Sequence, residues 1–197
     1  MKAIMQSINP EHVFNMRVSG KRFPLKRIEV RKSAPDETPF KAYIYETKQK
    51  EKSFVSTTID GVKTEVIIRR SGCGKVVGEY ICRKVAIVRA HNVIQAHYNN
   101  CPETRLTDEQ LWAYASGKPL KFLYMENVIF YDKPKELGEN GDFKFPCVRG
   151  GEDFDSHRKC VGCKYARLWT GTKEIYCDRW VTRAPQSWCY VEELEEL

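Results

Sequence analysis

The chain has no apolar run approaching the ~20 residues a membrane helix requires, and 30% of its 197 residues are charged, so a helical membrane protein is not expected. Its N-terminus, Met1-Lys2-Ala3-Ile4-Met5-Gln6-Ser7-Ile8, lacks a long apolar stretch followed by a small-residue cleavage site, which argues against secretion and for the cytoplasm. There is no internal repeat and no low-complexity tract, so nothing points to a repeat architecture. A βαβ rhythm is also missing. Many strands with two short helices then predict an α+β, mostly β fold, a barrel or curled sheet rather than a parallel one.

What is present is ordinary in bulk and uneven in detail. An apolar share of 42% suits a soluble domain, and the length allows one sizeable core with a small appended module. Net charge is +7, from 33 Lys and Arg against 26 Asp and Glu, which favours anionic partners with nucleic acid first. Solubility alone also accounts for an excess of this size. The charge concentrates in residues 17–32 and 63–89, while the tail Val191–Leu197 is acidic.

Local patterns order the elements. Residues 2–8 read as an opening strand, followed by a helix with Asn9 as cap and Pro10 at its first position, carrying Val13, Phe14 and Val18 and stopping at Gly20. In the basic segment Lys21–Lys32, Ile28 and Val30 alternate with Arg27, Glu29 and Arg31, which predicts a strand with one apolar and one charged face. Phe40–Glu46 is another strand, and residues 48–64 read as a polar loop or hairpin tip around Asp60-Gly61. Strands follow at Glu65–Arg69 and Lys75–Val88. Thr107 and Gln110 form a capping box that opens a second helix. Further strands are expected over 120–131 and 187–191.

Of eight cysteines, Cys73, Cys82, Cys101 and Cys189 stand apart; Cys82 and Cys189, inside apolar strand-like runs, read as buried small hydrophobes. The other four form the pattern Cys147-x12-Cys160-x2-Cys163-x13-Cys177. One CxxC knuckle with two flanking cysteines fits a structural four-thiolate zinc site, although the second CxxC of a zinc ribbon is missing. His157 is an alternative ligand to Cys147. The surrounding segment is charged and Gly-rich, and metal binding would supply the folding energy that apolar burial cannot. Four unrelated reduced cysteines are the plainer alternative.

Several stretches in shared order resemble the ASCH family of the PUA-like superfold, in its phage and bacterial forms. They are Asn9-Pro10-Glu11-His12-Val13, Ser19-Gly20-Lys21 with Ile28-Glu29-Val30-Arg31-Lys32, Phe40–Thr47, Gly74–Glu79, Ile129–Leu137 and Thr182–Glu193. The resemblance implies a curled PUA-like barrel from residues 1–137 and 180–197, with 138–179 as a cysteine-rich insertion. It departs from the family at Arg22-Phe23-Pro24-Leu25, which leaves Lys21 and Lys26 as candidates for the family's lysine. Spacing back from Ile28 favours Lys26.

The same resemblance implies a ligand cleft beside the basic strand, with Lys21 or Lys26, Glu29 and Arg31 near it. Of the aromatics Tyr43, Tyr45, Trp112, Trp169, Trp180 and Trp188, most read as core and some as stacking partners for bases, with Tyr45 and Trp188 as the candidates for the site and Trp188 the nearer. Lysine and arginine donors suit phosphate or a base edge, and Glu29 can accept from an exocyclic amine. Solvated ion pairs on a strand face are the alternative. Some ASCH relatives deacylate modified cytidine through a threonine three residues after the lysine. Here that position is Glu29, a poor acyl-transfer nucleophile, with Thr38 or Thr47 as the nearby hydroxyls. Others are proposed ribonucleases, for which Lys26, Tyr43 or Tyr45 and Ser187 are loose analogues. The leading expectation is a nucleic-acid-binding module that uses a basic cleft, RNA before DNA, with no catalysis of its own. An enzyme on RNA or a modified nucleoside comes next, and then a phage-encoded factor that binds a host protein in the host cytoplasm.

Overall fold

In a computed structural model, the described residues are 2–18, 25–48, 50–59, 62–89, 92, 93, 95, 103–139, 141–146, 166–168, 175–177 and 179–194, with backbone alone for 50–59, 62–70, 166–168 and 175–177. The elements run β1 (Lys2–Ile8), α1 (Pro10–Arg17), β2 (Ile28–Arg31), β3 (Phe40–Glu46), β4 (Lys50–Ile59), β5 (Val62–Ser71), β6 (Val76–Val88), α2 (Asp108–Ala115), β7 (Leu120–Lys135), β8 (Ala166–Leu168), β9 (Ile175–Cys177) and β10 (Trp188–Val191). Among the described residues the fold is mostly β with two flanking helices, as expected.

Six strands form one mixed sheet in the order β10-β1-β3-β6-β7-β2, with β1 and β3 parallel and every other pair antiparallel. Among the described residues its hydrogen-bond ladder does not close, and β2 and β10 are the two edges. The sheet nevertheless curls far enough for its ends to meet through side chains. The Trp188 indole of β10 donates to Ser33 Oγ, just past β2, at 3.2 Å, and Arg31 of β2 donates to the Ser7 carbonyl of β1 at 2.6 Å. Register shifts between β6 and β7 at Val76/Gly78, Glu79/Ile81 and Cys82/Lys84 supply local twist for that curl. At Gly78 a Cβ would lie 2.2 Å from the Ile129 carbonyl, so only glycine lets the two backbones approach.

Period-2 alternation sends β1 and β3 residues to two cores. Ile4, Ile8, Phe40, Ala42 and Ile44 join Val13 and Met16 of α1 in the first. Ala3, Met5, Tyr43 and Tyr45 join Phe143 and Val181 in the second. A third core packs Ile28 and Val30 against Leu111 and Ala115 of α2 and Phe122 of β7. Phe143 is fully buried and Phe145 packs on the same cluster, so the main body extends into the range expected for the insertion.

Two boundaries differ from expectation. Residues 48–64, expected as a polar loop or hairpin tip, carry the ten-residue strand β4 and the start of β5, which extends the strand expected at Glu65–Arg69 to Val62–Ser71. The β-branched and aromatic residues of β4, Phe54, Val55, Thr57, Thr58 and Ile59, favour extended backbone despite the polar composition. The first helix ends at Arg17 with Val18 as its cap, short of Gly20. The capping box of Thr107 and Gln110 forms as read, with bonds of 2.9 and 3.2 Å. Cys82 is fully buried, and Cys189 is half-buried against the second core.

Candidate functional site

β2 is buried on both sides, and this decides the site. Ile28 and Val30 enter the third core, so Glu29 and Arg31 turn the other way, toward the seam where the curled sheet meets itself. The charged face, which alternation alone leaves to solvent or ligand, is interior: the Glu29 side chain is 4% exposed and that of Arg31 is 13% exposed. Lys26, in the turn before β2, is held by its backbone N–H bonded to the Asn15 carbonyl at 2.8 Å, and its side chain is 1% exposed.

The three charges form one cluster. Glu29 Oε1 lies 2.9 Å from Arg31 Nε, and Glu29 Oε2 lies 3.3 Å from Lys26 Nζ. Neither contact has hydrogen-bond alignment, since Glu29 Oε2 and Arg31 Nε both lack hydrogen-bond partners. Lys26 Nζ instead donates to the Thr104 carbonyl at 2.7 Å, and Arg31 Nη2 to Ser7. Burial alone would raise the Glu29 carboxyl, but the charges of Lys26 and Arg31 outweigh it and hold the group at about 2. Burial pulls Lys26 below its ordinary value, opposed by Glu29.

These residues line a cleft of about 430 Å³ with Ser7, Asn9, Glu11 and His12 on one side and Leu106, Gln110 and Tyr114 on the other. His12 is pushed down to about 4, first by burial and then by repulsion from Lys26 and Arg31, and its Nδ1 has no hydrogen-bond partner. It is neutral at pH 7. The lining then carries two cations, Lys26 and Arg31, against two carboxylates, Glu11 and Glu29, so it is charge-balanced where a basic cleft was expected. Gln110 and Tyr114, four residues apart, share one face of α2, and Lys32 Nζ lies 5.1 Å from the centroid of the Tyr114 ring. The Gln110 carbonyl is occupied by the capping box.

Of the site residues named from sequence, Lys26, Glu29 and Arg31 come together in the cleft. Tyr45 does not line it, because strand alternation puts its ring in the second core. Nor does Trp188, which packs on the first core and bridges the seam to Ser33. Lys21 lies outside the described residues. Thr38, Thr47, Tyr43 and Ser187 are not lining residues either, and the Tyr43 hydroxyl is tied to the Leu194 N–H at 2.8 Å. Among the described residues, the lining hydroxyls are those of Tyr114 and of Ser7, which donates to the Pro185 carbonyl at 2.6 Å.

Sequence reasoning missed His12, Gln110 and Tyr114 as site residues. Gln110 was legible only as a cap, and the i,i+4 spacing to Tyr114 was the available signal. Trp112, named as a candidate aromatic, is 59% exposed but not a lining residue, since it lies two positions from Gln110 and Tyr114 and so on another side of α2.

Of the cysteine cluster, Cys147, Cys160 and Cys163 lie outside the described residues, as does His157; Cys177 is paired through its backbone with Ala166 in the β8–β9 ribbon. Among the described residues no group of three or more His, Cys, Asp or Glu side chains is placed to hold a metal. No helix among them is long and apolar enough to cross a membrane.

No protein-family model matches the chain, and no curated protein matches it. Among solved structures it is similar to the ASCH protein of Zymomonas mobilis, with 14% identity and a TM-score of 0.47 over 98% of this chain and 89% of that one. A point mutant of that protein has 13% identity and a TM-score of 0.49, with 98% and 92% covered. A second point mutant has 13% identity and a TM-score of 0.47, with 98% and 89% covered. All three are forms of one ASCH protein.

Proposed function

We propose that this is an ASCH-like, PUA-like module that binds nucleic acid, RNA before DNA, by taking one unstacked base into the seam cleft. The observation that carries this reading is the charge balance of the lining. A cleft with two cations and two carboxylates has no surplus charge for a phosphate, but it offers donors and acceptors to the edge of an uncharged heterocycle. Tyr114, 39% exposed on the lip, supplies a ring for stacking. An unstacked base is available in single strands, which favours single-stranded RNA over a duplex. Binding of a short single-stranded RNA, lost on Tyr114→Ala and kept on Tyr114→Phe, tests it; equal binding by all three proteins would remove the cleft from the account.

Catalysis has less support. Glu29 stands where deacylating relatives carry threonine, and its ion pairs make it a fixed acceptor rather than a nucleophile. The cysteine spacing supports, as a separate proposal, one structural zinc held by Cys147, Cys160, Cys163 and Cys177.

A further inference from the structure

If the cleft carries no surplus positive charge, the phosphates of a bound strand must be met elsewhere. The β4–β5 ribbon is the place the backbone points to. Its register pairs Lys50 with Ser71, Lys52 with Arg69, Phe54 with Ile67, Ser56 with Glu65 and Thr58 with Lys63. Cross-strand partners share a face, and alternate pairs share the same one. Lys50, Lys52, Lys63 and Arg69 therefore lie on one face of the ribbon, with Glu65 as the one carboxylate among them and the Phe54–Ile67 pair between its two basic ends. On the other face the register pairs Val55 with Val66 and Ile59 with Val62, places Ile68 beside them, and sets Glu51 against Arg70, which cancel. Neither the alternation of a single strand nor the bulk charge shows this division; it exists only once the two strands are in register.

The ribbon is rooted beside the cleft. The chain leaves β3 at Thr47, whose N–H bonds to the Ile8 carbonyl at 3.0 Å, and returns at Gly72. A Cβ on Gly72 would lie 1.7 Å from the Thr47 carbonyl and 2.8 Å from Pro10 Cγ, so the root is pressed against the β1–α1 turn. That turn supplies Ser7 and Asn9 to the cleft lining. The two strands pair with no other strand among the described residues, and α1 is the helix that lies against them. A helix can cover only one face of a two-stranded ribbon, and burying four cations with one carboxylate costs several kcal/mol per unpaired ion. The face with Val55, Ile59, Val62, Val66 and Ile68 is the more aliphatic of the two and the one whose burial is the more favourable. At ~3.3 Å per residue, the rows of Lys52 and Lys63, six positions apart, are separated by ~20 Å, a span of several nucleotides.

We propose that the face of the β4–β5 ribbon bearing Lys50, Lys52, Lys63 and Arg69 is a second nucleic-acid contact, which holds the phosphate backbone of a single strand whose base enters the cleft. This rests on the cleft reading above, and the test separates the two. The probes are a fluorescein-labelled 20-nucleotide oligouridine and a labelled 3-nucleotide oligouridine. Each is titrated at several salt concentrations against wild type, a quadruple variant (K50Q, K52Q, K63Q, R69Q), a charge-conserving variant (K50R, K52R, K63R, R69K) and Y114A. For the 20-mer, the quadruple variant is expected to lower the slope of log K against log salt by about 3, since each phosphate contact on a single strand contributes about 0.7. The charge-conserving variant should keep the wild-type slope, and far-UV circular dichroism should show both variants folded. For the 3-mer, the quadruple variant should bind within twofold of wild type.

An unchanged slope in the quadruple variant overturns the ribbon contact, and loss of binding in Y114A in the same series leaves the cleft standing. A reduced slope with no effect of Y114A on either probe supports the ribbon and overturns the cleft. If the charge-conserving variant loses as much as the quadruple one, the four positions act through folding and the ribbon contact falls. Failure of wild type to bind either probe overturns both. Tighter binding of a 20-base-pair duplex than of the 20-mer, with the same loss of slope, overturns the single-strand partner.

Discussion

Arg31 Nη2 donates to the carbonyl of Ser7 at 2.6 Å, although β2 and β1 share no ladder and stand four places apart in the sheet order. This contact spans the seam of the curled sheet and forms part of the cleft wall. It also changes what a substitution at Arg31 means. The alternation of β2 alone predicts that reversing this charge would spare stability, but the side chain is 13% exposed and shares a buried carboxylate with Lys26. Arg31→Glu is expected to cost about 3–5 kcal/mol, the range for breaking a buried ion pair. Urea denaturation measures it, and a loss under 1 kcal/mol would mean that the cluster is not buried.

Tyr114→Ala is expected to weaken binding of a short single-stranded RNA by about tenfold or more, the scale of one base–aromatic stack. Trp112→Ala, on the same helix but away from the cleft, should leave it within twofold. Fluorescence anisotropy compares the two. The reverse ranking would move the aromatic contact out of the cleft.

Acid should destabilise the fold in two overlapping steps. His12 sits at about 4 against an ordinary 6.5, so the unfolded chain takes up its proton first and stability falls as pH drops from about 6.5 to 4. Glu29 sits at about 2 against 4.5, so its contribution is complete above about 4.5 and is lost as pH falls toward 2. Each shift corresponds to on the order of 3 kcal/mol. Denaturant midpoints between pH 7 and 3 should show the decline, and His12→Leu should remove the upper step. An identical profile in that variant would place the titration elsewhere.

With Glu29 locked between two cations, purified protein should release no cytidine from N4-acetylcytidine over hours. Chromatography of the nucleosides reads this directly. Robust turnover that disappears in Lys26→Ala would establish an enzyme instead of a binding module.

Protein purified without added metal should contain about one zinc per chain. Elemental analysis is sufficient, and a fully folded, metal-free preparation would rule out the four-thiolate site. Cys163→Ser should reduce both zinc content and thermal stability, since metal binding and folding of such a segment are coupled.

Much of this protein was determined by sequence alone, because the relevant forces are local. The alternation of Ile28 and Val30 with Glu29 and Arg31, the capping box at Thr107, Pro10 at a helix start and the apolar strands at 2–8 and 40–46 each depend on neighbours within a few residues. The order of motifs was enough to suggest the family. Tertiary structure decided the rest, because the seam joins residues far apart in the chain. It turned the charged face of β2 inward, set Glu29 between Lys26 and Arg31, brought His12 and Tyr114 from two helices to one cleft, and cancelled the cleft's charge. It also removed Tyr45 and Trp188 from the site, one into the second core and the other into the seam. Period-2 patterning reports which residues share a strand face; only the curl of the whole sheet settles whether that face meets water or the opposite edge.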